Sequence, residues 1–142
     1  MITFPRFHDD HSLPPDASAI FVFGSNLAGR HGAGAALVAA QRFGAARGVG
    51  AGPTGRAYAI PTKDERLRVR ALDEIAEDIS AFREYAAARP NLHFFVTRIG
   101  CGLAGYRNDQ IAPLFRGFPD NCSFSQEWRP WVAATAAHRA AG

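Results

Sequence analysis

The sequence predicts an α/β domain in which helices cover both faces of a mixed, mostly parallel sheet. Short continuous apolar segments, typical of strands buried on both faces, alternate along the chain with amphipathic segments of helical period. At two places a strand, a glycine-rich turn and a helix follow one another directly, as they do in sheets of this class. At 142 residues and 47% hydrophobic composition, the chain can build one core without metal or disulfide crosslinks.

The first half of the chain begins with an extended lead-in over residues 1–18, which contains three prolines. We predict the first strand at Ala19 to Phe23, followed by a glycine-rich turn and a helix from Ala35 to Phe43. A second glycine-rich loop at 48–55 leads into a strand at Ala57 to Ile60.

The second half begins with apolar residues at three- and four-residue spacing, which predict an amphipathic helix over 71–88. The segment LHFFVTRI, Leu92 to Ile99, predicts a strand, and the turn GCGLAGY then leads into a helical segment over 108–118. A last strand is predicted at 122–128. We therefore divide the chain into a lead-in, one domain over 19–128 and a terminal helix or tail over 129–142.

Composition narrows the functional classes. No apolar run approaches the roughly 20 residues of a membrane-spanning helix, and the N-terminus lacks the order of a signal peptide, so we expect a cytoplasmic protein without membrane association. Two cysteines, Cys101 and Cys122, are too few for a disulfide framework or a zinc site, so we expect no metal. We also expect no cofactor. The net charge of +3 suits a phosphate-bearing partner, but it is equally common in proteins that bind no anion.

The two glycine-rich turns, Phe23 to Gly34 and Gly100 to Tyr106, are the candidate binding elements. Both follow strands, and ligands of such sheets bind at the carboxyl ends of the strands. Glycine allows backbone N–H groups to approach a phosphate, and the helix after each turn adds the partial positive charge of its N-terminus. Two such turns facing each other would form a diphosphate slot. The alternative is that these glycines only permit tight turns.

A Rossmann dinucleotide site fits less well. It requires the spacing G-x-G-x-x-G and an acidic residue about 20 positions later. The glycines at 24, 29, 32 and 34 do not have that spacing, and another glycine-rich loop occupies the place of the acidic residue.

Three motifs resemble the macrodomain family. FGSN followed by HGAGAA, at 23–36, resembles the first ligand loop of macrodomains. TRIGCGLAGY, at 97–106, and YAIPTK, at 58–63, resemble the second loop and the lysine-bearing strand of the terminal ADP-ribose glycohydrolase branch, to which DNA-directed antitoxin macrodomains are related. The same FGSN and GCGLAGY motifs are similar to those of uncharacterised phage and bacterial proteins. The resemblance spans roughly 19–118 and implies a macro-type domain that binds ADP-ribose.

It also implies roles for individual residues. Asn26 would face the distal ribose, and Tyr106 would stack near that ribose or cover it. Gly32 and Gly34 would make backbone contacts around the distal ribose and the diphosphate. The residues that would enclose the diphosphate from the other side are Gly100, Gly102, Leu103, Ala104 and Gly105.

Lys63, the only lysine of the chain, corresponds to the catalytic lysine of that branch. An amine with a lowered pKa can attack the anomeric carbon of ribose; the alternative is a solvated surface charge. Where the branch carries an aspartate that resolves the lysine adduct, this chain has Ala104. Asp64, Asp109 or His31 are the candidate substitutes, whereas Cys101 lacks an identifiable base and is expected to be a small packed residue.

Two functions follow from these residues. The first is an ADP-ribosyl hydrolase that acts on modified protein or nucleic acid through Lys63. The second is a module that binds ADP-ribose or another NAD-derived nucleotide without turnover. A basic nucleic-acid-binding domain is a third and weaker alternative, because the arginines are scattered from 6 to 139 and no stacking pattern is evident.

Overall fold

A computed structural model describes residues 4–133 of the chain. It confirms the α/β class: within these residues six strands form one sheet. The strands are β1 Phe7–His8, β2 Ile20–Asn26, β3 Gly52–Thr54, β4 Ala57–Lys63, β5 Phe94–Val96 and β6 Cys122–Ser125. Their order in the sheet is β1-β6-β5-β2-β4-β3, and all neighbouring strands are parallel except β3 and β4. The helices are α1 Gly34–Arg42, α2 Leu72–Ala87 and α3 Asn108–Ile111, with 3-10 helices at Ala112–Phe115 and Gln126–Trp128.

Both faces of the sheet are buried because successive side chains of a strand point to opposite sides. Phe21 and Phe23 of β2 pack with α1, whereas Val22 packs in the larger cluster on the α2 face. The sequences of the central strands are therefore continuously apolar.

Two strands lie where the sequence predicts none. Within the lead-in, β1 pairs with β6 at the sheet edge, and the Arg6 guanidinium holds it there by donating to the carbonyls of Phe118, Pro119 and Cys122. Within the second glycine-rich loop, β3 pairs with β4 at the opposite edge, where its proline removes no required hydrogen bond.

Two predicted elements end earlier than expected for local reasons. Pro113 lacks an N–H group, and α3 gives way to a 3-10 helix at Ala112. The Ser125 hydroxyl accepts a hydrogen bond from the Glu127 N–H group and caps the 3-10 helix that ends the last strand. Residues 129–133 are helical, and the remainder of the predicted terminal helix or tail lies outside the described residues.

Candidate functional site

A cavity of about 810 Å³ opens at the carboxyl ends of β2, β4 and β5. Parts of both glycine-rich turns line it, as do Lys63 and, from the lead-in, residues 8 and 10–13. The volume is within the range of roughly 300–1,000 Å³ that is usual for small-molecule sites. The cavity therefore brings together the turns and the lysine that the sequence singles out.

The Asn26 side chain fixes the conformation of the first turn through two hydrogen bonds to the backbone of Arg30. Its amide nitrogen donates to the Arg30 carbonyl at 2.8 Å, and its amide oxygen accepts from the Arg30 N–H group at 3.0 Å. Asn26 lines the cavity, but one amide proton and one oxygen lone pair are already used within the turn. A ligand can be contacted only by the remaining proton and lone pair.

The second glycine-rich loop supports the first turn from behind. Gly50 lies so close to β2 that a Cβ atom there would be 2.2 Å from the Asn26 carbonyl oxygen. At Gly29, which has a φ of +70°, a Cβ atom would be 2.3 Å from the Gly48 carbonyl carbon. These glycines permit close backbone approach, whereas Gly32 has no such neighbour and lines the cavity.

The N-terminus of α1 faces the cavity without a cap. The residues from 32 to 36 line it, no side chain of the described residues caps the helix, and its first turn contains no acidic residue. The first N–H groups of a helix have no partner within the helix and carry partial positive charge. This end of α1 is available to an anion.

The turn after β5 forms the opposite wall of the cavity. A Cβ atom at Gly24 would lie 3.5 Å from the Gly100 nitrogen, so β2 and this turn are in close contact. Within residues 4–133, the N–H groups of Gly102, Leu103 and Ala104 make no hydrogen bond. All three residues line the cavity, and their N–H groups are free for an acceptor.

Two residues of the implied set lie outside the cavity lining. The Tyr106 hydroxyl donates to the Arg70 carbonyl at 2.5 Å, and its N–H group donates to the Gly100 carbonyl at 2.8 Å. Tyr106 thus anchors the end of the turn. Gly105, which has a φ of +84°, gives the turn its shape.

Lys63 ends β4 and pairs with Asn26 across the register shift of β2. Its side chain lines the cavity and is half-buried. Within the part of the chain that the structure describes, its ammonium group forms no ion pair. The amine is therefore placed to meet a ligand.

The acidic substitutes named from the sequence lie elsewhere. The Asp64 carboxylate accepts from the N–H groups of Arg66 and Arg68, which lowers its pKa, with the Arg68 N–H group the main cause. Asp109 pairs with Arg107 at 3.0 Å. Neither lines the cavity.

His31 and Cys101 are not placed for catalysis. His31 packs edge-on against Phe23 beneath the first turn and contacts the Ala46 carbonyl at 3.0 Å through Nε2. Among the described residues its buried Nδ1 has no partner, and the side chain does not line the cavity. Cys101 does line it, but burial raises the pKa of its thiol.

The lead-in supplies a wall of the cavity that the sequence analysis missed. Asp10, the one carboxylate among the lining residues, receives two hydrogen bonds from Arg98 at 3.0 and 2.7 Å. These bonds are the main cause of its lowered pKa. The polar run HDDH at 8–11 was the available signal, since four titratable residues in succession are unusual in a plain linker.

Behind this wall lies a buried hydrogen-bonded chain. His8 Nε2 donates to the Val96 carbonyl at 3.1 Å, and its Nδ1 lies 3.2 Å from the Ser123 hydroxyl. That hydroxyl lies 2.7 Å from His93 Nε2, whose ring contacts Asp16 at 3.0 Å. The distances match a Ser-His-Asp triad. Ser123, however, is 1% exposed and lies outside the cavity lining, so the chain fixes the lead-in to the sheet.

Burial lowers the pKa of His8 to about 4, so its ring presents a neutral surface to the cavity at pH 7. The ring is stacked on Phe95 with 3.7 Å between centroids. Among the lining residues Arg30, Lys63 and Arg98 are cationic, whereas Asp10 alone is anionic at that pH. The cavity therefore favours an anionic ligand.

Within residues 4–133, no group of His, Cys, Asp and Glu side chains is arranged to hold a metal ion. None of the helices described there has the length and apolar character needed to cross a membrane. Comparison of the chain with family models, with curated proteins and with solved structures found no match.

Proposed function

We propose that this protein binds ADP-ribose, or a derivative of it, between its two glycine-rich turns. The observation that carries the proposal is that both turns, the uncapped N-terminus of α1 and Lys63 line one cavity. Together these groups can bind a diphosphate that is joined to a sugar. Unpaired N–H groups on both walls can donate hydrogen bonds to phosphate oxygens, and the cationic excess of the lining favours the negative charge of the diphosphate.

The distribution of side chains supports one orientation of the ligand. Phe21, Phe95 and Val38 make the part of the cavity beneath α1 apolar, which suits a nucleobase. Lys63 lies at the end of β4, on the far side of β2 from Phe95. The base would lie over β5 and the distal ribose beside Lys63, with the diphosphate between the turns.

Binding is tested by titration calorimetry with ADP-ribose, using AMP and inorganic phosphate as comparison ligands. We expect ADP-ribose to bind most tightly, because only it reaches both the apolar part and Lys63. Absence of binding would refute the proposal. A salt-dependent DNA shift in the same preparation would then favour nucleic-acid binding instead.

Hydrolysis through Lys63 is the second candidate, favoured by the unpaired ammonium in the cavity. After the ammonium loses a proton to solvent, the amine would attack the anomeric carbon of the distal ribose, and the attached group would leave with the bonding electrons. Water would then attack the same carbon and break its bond to the lysine nitrogen, which releases ADP-ribose. Asp10 contacts Ser125 at the end of β6, three strand spacings or about 14 Å from β4. No carboxylate among the lining residues is therefore near Lys63, and we expect the adduct to resolve slowly.

This candidate is tested by incubating the wild type and Lys63→Ala with ADP-ribosylated protein and with ADP-ribosylated DNA. Intact mass spectrometry should detect a one-ADP-ribosyl adduct on the wild type alone, with slow release of ADP-ribose. Equal turnover by both proteins would remove Lys63 from the mechanism. Tight binding with neither adduct nor turnover would identify a binding module.

A further inference from the structure

The exposed apolar side chains are concentrated at the mouth of the cavity. Within residues 4–133, four large hydrophobic side chains are exposed: Leu13 at 44%, Leu67 at 43%, Val69 at 50% and Leu103 at 73%. The three leucines line the cavity, and they come from three separate segments of the chain. We call Leu13, Leu67 and Leu103 the rim. Such a cluster around a cleft marks a surface that contacts a partner.

Leu67 is held in the rim against its own backbone preference. Its φ of 62° is in the left-handed region, where the Cβ atom of an L-residue crowds the backbone. The turn is fixed by Asp64, whose side chain accepts from the N–H groups of Arg66 and Arg68 and whose N–H group donates to the Arg68 carbonyl. The fold therefore presents a leucine with 43% of its surface exposed, at a local cost in backbone conformation.

The charges beside the rim indicate the sign of the charge that a partner would carry. Arg66 and Arg68 flank Leu67 and are exposed, and Arg30 is exposed among the cavity residues. In the described part of the chain none of these three arginines forms an ion pair. Apolar side chains next to unpaired arginines complement an anionic partner that also carries apolar groups.

We propose that the rim, together with Arg66 and Arg68, docks an acidic polypeptide segment that carries the ligand of the cavity. The identity of that ligand rests on the function proposed above. A single-stranded nucleic acid would also be anionic, but its bases are normally held by stacking on exposed aromatic rings. Among residues 4–133 no Phe, Tyr or Trp side chain is exposed, and the rim is aliphatic. The one exposed ring there is that of His11, which contacts Asp10 at 3.2 Å.

The test uses a fluorescein-labelled peptide that carries glutamate and leucine in a glycine–serine background. It is prepared unmodified and with ADP-ribose on one glutamate. Free ADP-ribose, a peptide with lysine in place of glutamate and an oligothymidine serve as comparisons. Leu67→Asn removes the apolar side chain with a residue that tolerates positive φ. The double variant Arg66→Gln, Arg68→Gln removes the charges, and Arg47→Gln, an exposed arginine outside the cavity lining, is the matched control.

We expect the modified acidic peptide to bind the wild type about tenfold more tightly than free ADP-ribose, a gain of about 1.4 kcal/mol. Leu67→Asn and the double arginine variant should lose most of that gain, whereas Arg47→Gln should keep it. Equal affinity of the wild type for modified peptide and free ADP-ribose would overturn the proposal. Retention of the gain by Leu67→Asn, or stronger competition by oligothymidine, would also overturn it.

Failure of the proposed function has a different signature. Suppose that free ADP-ribose does not bind but the unmodified acidic peptide binds the wild type more tightly than it binds Leu67→Asn. That result would support the rim as a docking surface and refute ADP-ribose as the ligand of the cavity. If neither binds, both proposals fall.

Discussion

Gly50 gives the sharpest structural prediction, because its role depends on one close contact. Replacement by alanine would put a Cβ atom 2.2 Å from the Asn26 carbonyl oxygen and 2.8 Å from the Leu27 Cα atom. Carbon atoms pack at about 3.5–4.0 Å, so the first turn would have to move by about 1 Å. Both obstructing atoms belong to the backbone, so no side chain can rotate away. We expect a cost near the upper end of the overpacking range, about 3 kcal/mol.

For a domain of this size, that cost lowers the melting temperature by roughly 10 °C. Differential scanning calorimetry measures it, and a parallel titration with ADP-ribose should show weaker binding because Asn26 and Arg30 move together. Gly32→Ala is the matched control for stability, since a Cβ atom there meets no atom within 4 Å. A Gly50→Ala variant that melts within about 2 °C of the wild type would refute the steric reasoning.

Two further predictions concern stability. Leu67→Asn should raise the free energy of unfolding by about 1 kcal/mol, because asparagine tolerates the left-handed backbone; a lower melting temperature would show that the turn carries no strain. Burial gives His8 a pKa of about 4, below its ordinary 6.5, so the unfolded chain binds more protons between these values and stability is lost as the pH falls through them. Urea denaturation at pH 7 and pH 4.5 should show a loss of at most about 3 kcal/mol from this group. In the His8→Gln variant the free energy of unfolding should depend less on pH. If it depends on pH as strongly as in the wild type, other groups cause the loss.

The central strands and the main helices could be predicted because their signal is local. Continuous apolar runs and helical spacing are properties of neighbouring residues, and the structure confirms the α/β class from them. The edge strand β1 gives no such signal. Its two residues form a strand because the Arg6 side chain donates hydrogen bonds to three carbonyls more than a hundred positions away.

The candidate site also has parts that the sequence predicts and parts that depend on contacts between distant residues. The structure places the two glycine-rich turns and Lys63, which are contiguous motifs, in one cavity. The wall from 8–13 depends on Asp10 meeting Arg98 and Ser125, contacts that span 88 and 115 positions. The support behind the first turn depends on Gly50 meeting Asn26, and no pattern within either segment indicates that approach.

The pairing of β1 with β6 has a consequence for the order in which the molecule is completed. One wall of the cavity is formed by residues between 8 and 13, but the strand that holds them to the sheet, β6, ends at Ser125. During synthesis the turn at 23–34 can fold onto its neighbours long before that strand has left the ribosome. The cavity gains this wall only after β6 has emerged, so a chain that stops before Cys122 has an incomplete binding site.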